Sequence, residues 1–259
     1  MTTLNDAARD LLLGGRCCGC ARPGRVLCRA CRAVLPRSPR PAWPTPTPAG
    51  LAPPWALGDY AGTLRALLLG HKERRQLALA GPLGELLSLA VGAAVPGDDP
   101  VLLVPAPSRR SAVRERGHDA TARLVAAAGR ALRGQDRPVR EVPLLAMRTG
   151  VLDQAGLDAR QRAANLTHSL WVPPERLARA ARPVARVRVV VCDDVITTGA
   201  TAREAQRALE AVGLPVSAIA TVAATRRRSD EVDQTAAAGD RPSSTRRFHD
   251  DQGGVSVGV

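Results

Sequence analysis

The pattern of apolar and polar residues predicts strands and helices that alternate between residues 100 and 225. Four segments have the nearly continuous apolar character of strands that are covered on both faces: 101–107, 138–147, 187–195 and 216–224. Two amphipathic segments predict helices: 119–132 and 202–213. This order of elements is typical of a parallel sheet with helices on both faces, so the predicted fold class is α/β.

Outside that region the composition divides the chain. Residues 14–36 contain five of the six cysteines, and residues 37–57 are so rich in proline that they predict a semi-rigid extended linker. Residues 58–98 have a helical pattern, and residues 226–259 are polar and rich in glycine and serine. We therefore predict a small cysteine module, a linker, one α/β domain over 58–225 and a disordered tail.

The most apolar window of the chain, residues 77–95, is interrupted by Pro82, Glu85 and several glycines. Helices that span a bilayer need about 20 predominantly apolar residues. We therefore expect a buried or half-buried helix here and no membrane span. The N-terminal segment carries Asp6 and Asp10 where a signal peptide carries positive charge. These features predict a cytoplasmic protein, in which thiols stay reduced.

The formal net charge is +13, and arginine supplies nearly all of the positive charge because Lys72 is the sole lysine. A basic surface attracts phosphates, nucleotides, nucleic acid or anionic lipid, and net charge alone does not choose among them. Aromatic residues make up only 2% of the chain, so it has few side chains on which the bases of a single-stranded nucleic acid could stack.

Candidate chemistry is concentrated in the stretch VVVCDDVITTGAT, residues 189–201, where an apolar strand ends in two carboxylates and then a turn of small residues. Ligands of parallel sheets bind outside the carboxyl ends of the strands, where turns lead into helices. The turn offers consecutive backbone N–H groups, three hydroxyls and the positive end of a helix dipole, which suit a phosphate. Its residues are Thr197, Thr198, Gly199, Ala200 and Thr201. The glycine permits the backbone geometry and the close approach that a side chain would block.

Asp193 and Asp194 are acceptors suited to the two hydroxyls of a ribose, and they could support positive charge that develops on a sugar ring. The stretch therefore predicts a sugar-phosphate site. The alternative is an ordinary strand-to-helix turn in which an aspartate or a threonine caps the helix. Two acids, three threonines and a glycine within nine residues exceed what capping requires. Cys192, in the apolar strand, is interpreted as a core thiol.

The N-terminal cysteines have the spacing of a metal site. Cys17-x-x-Cys20 and Cys28-x-x-Cys31 are separated by seven residues, and Cys18 is left over as a spare thiol. Two such pairs are typical of a closed four-thiolate zinc site. Disulfides are the alternative, and they need an oxidising compartment that the sequence does not indicate. A zinc module on a basic protein is also a natural docking surface for nucleic acid or other proteins.

The 189–201 stretch resembles the motif that binds phosphoribosyl diphosphate (PRPP) in type I phosphoribosyltransferases: four apolar residues, two acids and a T-T-G-x-T loop. Further segments narrow the resemblance to the ComF family of competence-associated proteins. They are Tyr60-Ala-Gly with Leu64 and Lys72, VPAPSRRSAVRERGHD (104–119), Gln154, Leu157 and Arg162-x-x-Asn165. With the cysteines, the matching segments cover about residues 14–225.

The resemblance implies a type I phosphoribosyltransferase-like parallel sheet flanked by helices and preceded by a four-cysteine zinc ribbon. It implies displacement of pyrophosphate from C1 of PRPP through an oxocarbenium-like transition state. Magnesium would be held mainly by substrate oxygens, with Asp193 or Asp194 assisting. The acceptor is not identified by any residue, although residues 58–98 could form the hood that recognises it.

The resemblance also assigns roles to arginines. The loop after the first strand cradles pyrophosphate in type I enzymes, and guanidinium groups match phosphate oxygens. The candidates here are Arg109, Arg110, Arg114 and Arg116. Arg114-Glu115-Arg116-Gly117 agree with the family pattern, while His118, Asp119 and Ala120 replace its F-N-Q. A solvated basic helix face or a nucleic-acid patch is the alternative.

Two functions follow as expectations. One is an enzyme that transfers phosphoribose from PRPP, with a mobile loop at 154–165 whose Arg160 and Arg162 enter the site on closure; an ordinary surface helix is the alternative for that segment. The other is a non-catalytic protein of competence that senses PRPP or nucleotide and docks single-stranded DNA or the DNA-uptake machinery through its zinc module and arginine surface.

Overall fold

Strands and helices alternate along most of the chain. The computed structural model describes residues 15–148, 168–180 and 186–225. Their helices are α1 Arg29–Ala33, α2 Gly62–Lys72, α3 Ala80–Ala94, α4 Arg110–Arg116, α5 Ala120–Arg133, α6 Pro174–Ala180 and α7 Ala200–Glu210, with a 3₁₀ turn, Leu77–Leu79, before α3. Their strands are β1 Arg40–Pro41, β2 Pro54–Asp59, β3 Val101–Pro105, β4 Val139–Glu141, β5 Ala146–Met147, β6 Leu170–Trp171, β7 Arg188–Ile196 and β8 Val216–Ala224.

The described strands build a six-stranded sheet with the order β1-β2-β8-β7-β3-β4, and β5 pairs with β6 in a separate two-stranded sheet. Within the large sheet only β1 is antiparallel to its neighbour. The predicted α/β class with a mostly parallel sheet is confirmed. The strand order reverses between β3 and β7, because β3 is followed outward by β4 and β7 by β8. Such a reversal opens a crevice outside the carboxyl ends of the two strands.

The sheet is covered on both faces, as its apolar strands predict. Along β7, Val190 and Cys192 face one core, which also contains buried residues of α2, α3 and α5. Val189 and Val191 face the other core, which also contains the buried side of α7. This alternation follows from the two-residue period of a strand. It puts α5, which follows β3, and α7, which follows β7, on opposite faces, as the crevice requires.

The prediction of a linker at residues 37–57 is wrong. This segment supplies β1 and the start of β2, and Leu51 and Ala52 are buried in the core of the α7 face. Its prolines are compatible with a sheet because Pro41 lies in the edge strand and Pro54 is the first residue of β2. At such positions the missing N–H removes no necessary ladder hydrogen bond.

The predicted strand at 138–147 is two short strands, β4 and β5, and Pro143 lies between them. Only β4 joins the large sheet. The predicted helical region at 58–98 contains the end of β2 followed by α2 and α3. The predicted mobile loop at 154–165 and the predicted tail at 226–259 lie outside the described residues.

The apolar segment Leu77–Ala94 is the one helical stretch of the described chain that is long and apolar enough to cross a membrane. Half of it is buried inside the protein. Leu83, Leu87, Ala90 and Val91 are completely buried in the core that also contains α5 and β8. The prediction of a buried or half-buried helix is therefore confirmed.

Candidate functional site

A pocket of about 460 Å³ opens in the crevice between the carboxyl ends of β3 and β7. We call it the acid pocket, because Asp193 and Asp194 lie in its wall. The polar and charged residues that line it include Tyr60, Lys72, Glu73, Ser108, Arg109, Arg116, Asp193, Asp194, Thr197 and Thr201. The sequence predicted a ligand site at this edge of the sheet, and the structure has an open cavity there.

The two aspartates are held by the backbone of their own strand. The N–H of Asp194 donates to Asp193 Oδ1 over 2.8 Å, and the N–H of Val195 donates to Asp194 Oδ1 over 3.0 Å. Burial raises the pKa of Asp193, the adjacent Asp194 carboxylate raises it further, and Lys72 opposes both. The pair is therefore oriented before any ligand arrives, and it carries two carboxylates where water is scarce.

Lys72 is a residue of the site for which the sequence pattern predicts no role. It is the last residue of α2, and its Nζ lies 2.7 Å from Asp194 Oδ2. Burial alone would lower the pKa of Lys72, but the Asp194 and Asp193 carboxylates outweigh it and the pKa is raised. The available signal was that this is the sole lysine of an arginine-rich chain.

The turn after β7 contributes fewer side chains than predicted. Thr197 and Thr201 line the acid pocket, and a smaller recess of about 30 Å³ opens between them beside Gly199. Thr198 instead accepts a hydrogen bond of 3.4 Å from the N–H of Ala200. The N-cap residue of α7 is Gly199, which has no side chain that could cap the helix. The backbone N–H groups of Thr201 and Ala202 therefore lack a cap from that position, which leaves them available to an anion.

Gly199 has the special backbone geometry that the sequence predicts, but the group that approaches it is not the expected one. Its φ of 72° lies in the left-handed region, which favours glycine. A Cβ at this position would lie 2.9 Å from Pro44 Cγ and 3.2 Å from Leu51 Cδ2. The group that approaches Gly199 closely is thus the protein's own proline-rich segment, where the sequence analysis expected a ligand.

The predicted pyrophosphate arginines do not lie together. Arg109 and Arg116 line the acid pocket, whereas Arg110 and Arg114 line a different pocket. The Arg116 side chain is only 10% exposed, and its Nη1 lies 3.5 Å from Glu73 Oε1. Its Nε is buried without a hydrogen-bond partner among the described residues. Helical spacing explains the division, since positions four or seven apart share a face of α4.

The four predicted metal ligands do lie together. The Sγ atoms of Cys17, Cys20, Cys28 and Cys31 all lie within 4.8 Å of one another. Burial tends to raise the pKa of Cys17, but backbone N–H groups, led by that of Cys28, lower it to about 6. The spare thiol, Cys18, is not in the cluster, and it donates to Gln76 Oε1 over 2.7 Å. The cluster is a closed four-thiolate arrangement that fits a tetrahedral metal ion.

This cysteine segment is not separate from the α/β fold. Cys17, Leu27, Cys31 and Leu35 belong to the same hydrophobic core as α2 and α3. All the described residues fall in one compact unit, Met1–Arg226. Cys192 lies in that core as predicted, with 0% of its surface exposed, and burial raises its pKa. It is therefore a packing residue without access to the acid pocket.

Comparison with known proteins does not assign the chain to a family. No family model and no curated protein matches the chain. The resemblance to ComF proteins thus rests on the residues and motifs given above, and the interpretation of the acid pocket rests on its geometry.

Proposed function

We propose that the acid pocket binds PRPP and that the protein transfers phosphoribose to an acceptor with release of pyrophosphate. One observation carries the proposal: two adjacent carboxylates, two threonine hydroxyls at the start of a helix, and three cationic side chains line a single pocket at the reversal of strand order. The cations are Lys72, Arg109 and Arg116. A pentose with phosphate groups at both ends requires hydroxyl acceptors in the middle and anion sites at two ends.

The proposed orientation follows from the chemistry of the walls. The hydroxyls of Thr197 and Thr201 and the backbone amides of Thr201 and Ala202 bind the 5-phosphate, because the helix N-terminus favours an anion. Asp193 and Asp194 accept hydrogen bonds from the ribose hydroxyls. Arg109 and Arg116 lie across the pocket, after β3, where they face the pyrophosphate. Arg116 supports this role because its side chain lines the pocket and its Nε has no hydrogen-bond partner among the described residues.

The proposed reaction needs no nucleophile from the protein. The bond from C1 to the pyrophosphate oxygen breaks, and its electron pair leaves with pyrophosphate. A nitrogen lone pair of the acceptor base forms the new bond to C1, and the base releases one proton to solvent. Positive charge develops on the sugar ring beside Asp193 and Asp194, and preoriented carboxylates stabilise it. Either carboxylate is also the kind of ligand that magnesium prefers, and the metal would supply charge neutralisation for the departing pyrophosphate.

The proposal is tested by measuring pyrophosphate release from PRPP with magnesium across a panel of purine and pyrimidine bases. We expect release with at least one base, and a loss of about 100-fold in Arg116→Met, because removal of one preoriented donor typically costs that much. Arg123→Met is the matched control, since Arg123 is an exposed residue of α5 outside the acid pocket. PRPP binding without release for any acceptor would contradict the transferase and favour the predicted non-catalytic role in DNA uptake.

We also infer that the four-cysteine cluster holds a structural zinc ion. Zn–S bonds of about 2.3 Å in a tetrahedron place sulfur atoms about 3.8 Å apart. The Sγ atoms of Cys20 and Cys28 are 3.6 Å apart, close to that value. Gly19 supports the cluster, because a Cβ there would lie 2.8 Å from Cys31 Sγ. The inferred zinc would fix the N-terminal segment against α2 and α3.

A further inference from the structure

A second pocket, of about 410 Å³, adjoins the acid pocket, and the proposed function does not use it. We call it the arginine pocket, because Arg110, Arg114 and Arg176 line it. The two pockets share Met147 and the loop residues Ala106, Pro107 and Ser108. They use different residues of α4, so this helix and the preceding loop form the wall between them. A volume of this size suits a small molecule.

The arginine pocket has a surplus of positive charge. Among the described residues, Asp119 is the only acid that lines it. The Oδ1 atom of Asp119 already accepts the Ser108 hydroxyl over 2.9 Å and the Ala122 N–H over 3.0 Å, because Asp119 caps α5. Three guanidinium groups therefore line the pocket together with one carboxylate, which already accepts hydrogen bonds within the protein. This composition favours an anionic ligand.

The arginines differ in how they are held. Arg176 is fixed, because its Nη1 donates to the carbonyl oxygens of Pro143 and Leu145. Arg110 and Arg114 lie four residues apart on α4, are exposed, and have no ion pair or side-chain hydrogen bond with another described residue. Their guanidinium groups are thus available to phosphate oxygens, which they match with two parallel hydrogen bonds.

The rest of the wall is apolar. Val113, Leu145, Ala146 and Met147 line the pocket on the side of α4 and β5. An inorganic anion would leave this surface without a partner, whereas a heterocyclic ring would cover it. We propose that the arginine pocket is a second ligand site that binds a nucleotide, with its phosphates on Arg110 and Arg114 and its base on the apolar wall.

The test is calorimetric titration of the full chain with ADP and, separately, with inorganic pyrophosphate. We expect ADP to bind at least about tenfold more tightly than pyrophosphate, since only ADP covers the apolar wall. The variant Arg110→Ser/Arg114→Ser should weaken ADP binding at least about tenfold, because two charge-assisted contacts are lost. Both substituted side chains are exposed, so the fold tolerates the change.

Two control variants make the result specific. Arg123→Ser/Arg130→Ser removes the same charge from exposed positions of α5 that line neither pocket, and ADP affinity should stay within about twofold. Thr197→Val/Thr201→Val alters the acid pocket and should leave ADP affinity unchanged. Equal losses in both arginine variants, or loss only in the threonine variant, would overturn the proposal. So would pyrophosphate binding that is as tight as ADP binding and is weakened by Arg110→Ser/Arg114→Ser. Failure of PRPP to bind would not affect this test.

Discussion

At the scale of single residues, the acid pocket is a compromise between stability and binding. Asp193 and Asp194 are adjacent, partly dehydrated carboxylates, and Lys72 compensates only one of them directly. Such an arrangement costs the folded state free energy that a neutral side chain would not. Proteins retain such groups where a ligand needs them.

The raised pKa of Asp193 gives a prediction with a definite sign. Its folded-state pKa exceeds the unfolded value, so the folded protein binds more protons between the two values and the free energy of unfolding falls as pH rises through that window. Asp193→Asn removes this cost and keeps an Oδ1 acceptor for the Asp194 N–H. We expect Tm to rise at pH 8 by about 2–4 °C, the shift that about 1 kcal/mol produces in a chain of this size.

The difference in Tm should vanish near about pH 3, below the ordinary pKa of aspartate, because both side chains are then neutral. Thermal melts of the two proteins across this pH range provide the measurement. A variant that is less stable than the wild type at pH 8 would show that the ionised Asp193 does not destabilise the folded protein.

Lys72 gives the complementary prediction. Lys72→Met leaves the Asp194 side chain, which is 12% exposed, without its cation, so the free energy of unfolding should fall by about 1–2 kcal/mol. Asp99→Asn is the control, because the pair of Asp99 and Arg188 is about half exposed and 3.5 Å apart. Its loss should cost less than about 0.5 kcal/mol. Denaturant melts that give equal losses would mean that Lys72 is only a surface cation.

At the scale of elements, the turn between β7 and α7 meets two demands at once. Thr197 and Thr201 face the acid pocket, while Gly199 packs under Pro44 and Leu51 of the proline-rich segment. The segment between β1 and β2 therefore supports the turn from behind. A ligand that binds the turn meets a backbone that packing has already fixed.

Gly199→Ala tests this support. Gly213 is a matched control, since its φ of 77° is equally left-handed but a Cβ there would meet nothing within 4 Å. Gly213→Ala should cost about 1 kcal/mol for the backbone conformation alone. Gly199→Ala should cost at least about 1 kcal/mol more, because the new methyl group overlaps Pro44. Denaturant melts measure the loss of unfolding free energy in each variant. Equal losses would show that the proline-rich segment shifts and accommodates the new methyl group.

The elements that could be predicted from the sequence are those whose pattern is local and strong. The apolar run of β7 and the amphipathic helices α5 and α7 were predicted to within a few residues. The strands that were missed or merged contain proline: β1 and β2 begin or lie beside prolines, and Pro143 separates β4 from β5. Sequence patterns treat proline as a breaker, whereas an edge strand or a strand start tolerates it.

At the scale of the whole molecule, the cysteine segment shares its core with the α/β fold. Because Cys17 and Cys31 pack with residues of α2 and α3, the inferred zinc would stabilise more than a local ribbon. Loss of metal should therefore lower the stability of the entire compact unit. This outcome differs from that of a ribbon joined by a linker, which would melt alone.

Metal removal gives the fourth prediction. The purified chain should contain about one zinc ion, and a strong chelator should lower the Tm of a single cooperative transition by more than about 5 °C. Cys20→Ser, at an exposed ligand, should lose the metal, whereas Cys18→Ser should keep it. Elemental analysis and calorimetry measure both effects. Equal metal content in the two variants would contradict the assigned ligand set.

The site was only partly predictable because its residues meet through the fold. The β7 turn is contiguous, so Asp193, Asp194, Thr197 and Thr201 could be identified together. Lys72 reaches Asp194 across 122 positions of sequence, and no local pattern reports such a contact. The division of the arginines of α4 between two pockets depends on which sides of that helix the tertiary structure leaves open.

The central claim is that Asp193 and Asp194 line a site for a phosphorylated pentose. The most direct measurement is calorimetric titration of PRPP with magnesium into the wild type and into Asp193→Asn/Asp194→Asn. We predict one bound PRPP per wild-type chain and at least about tenfold weaker binding by the folded variant, because hydrogen bonds to charged acceptors are lost. Equal affinity in the two proteins, or no heat of binding with the wild type, would contradict the claim.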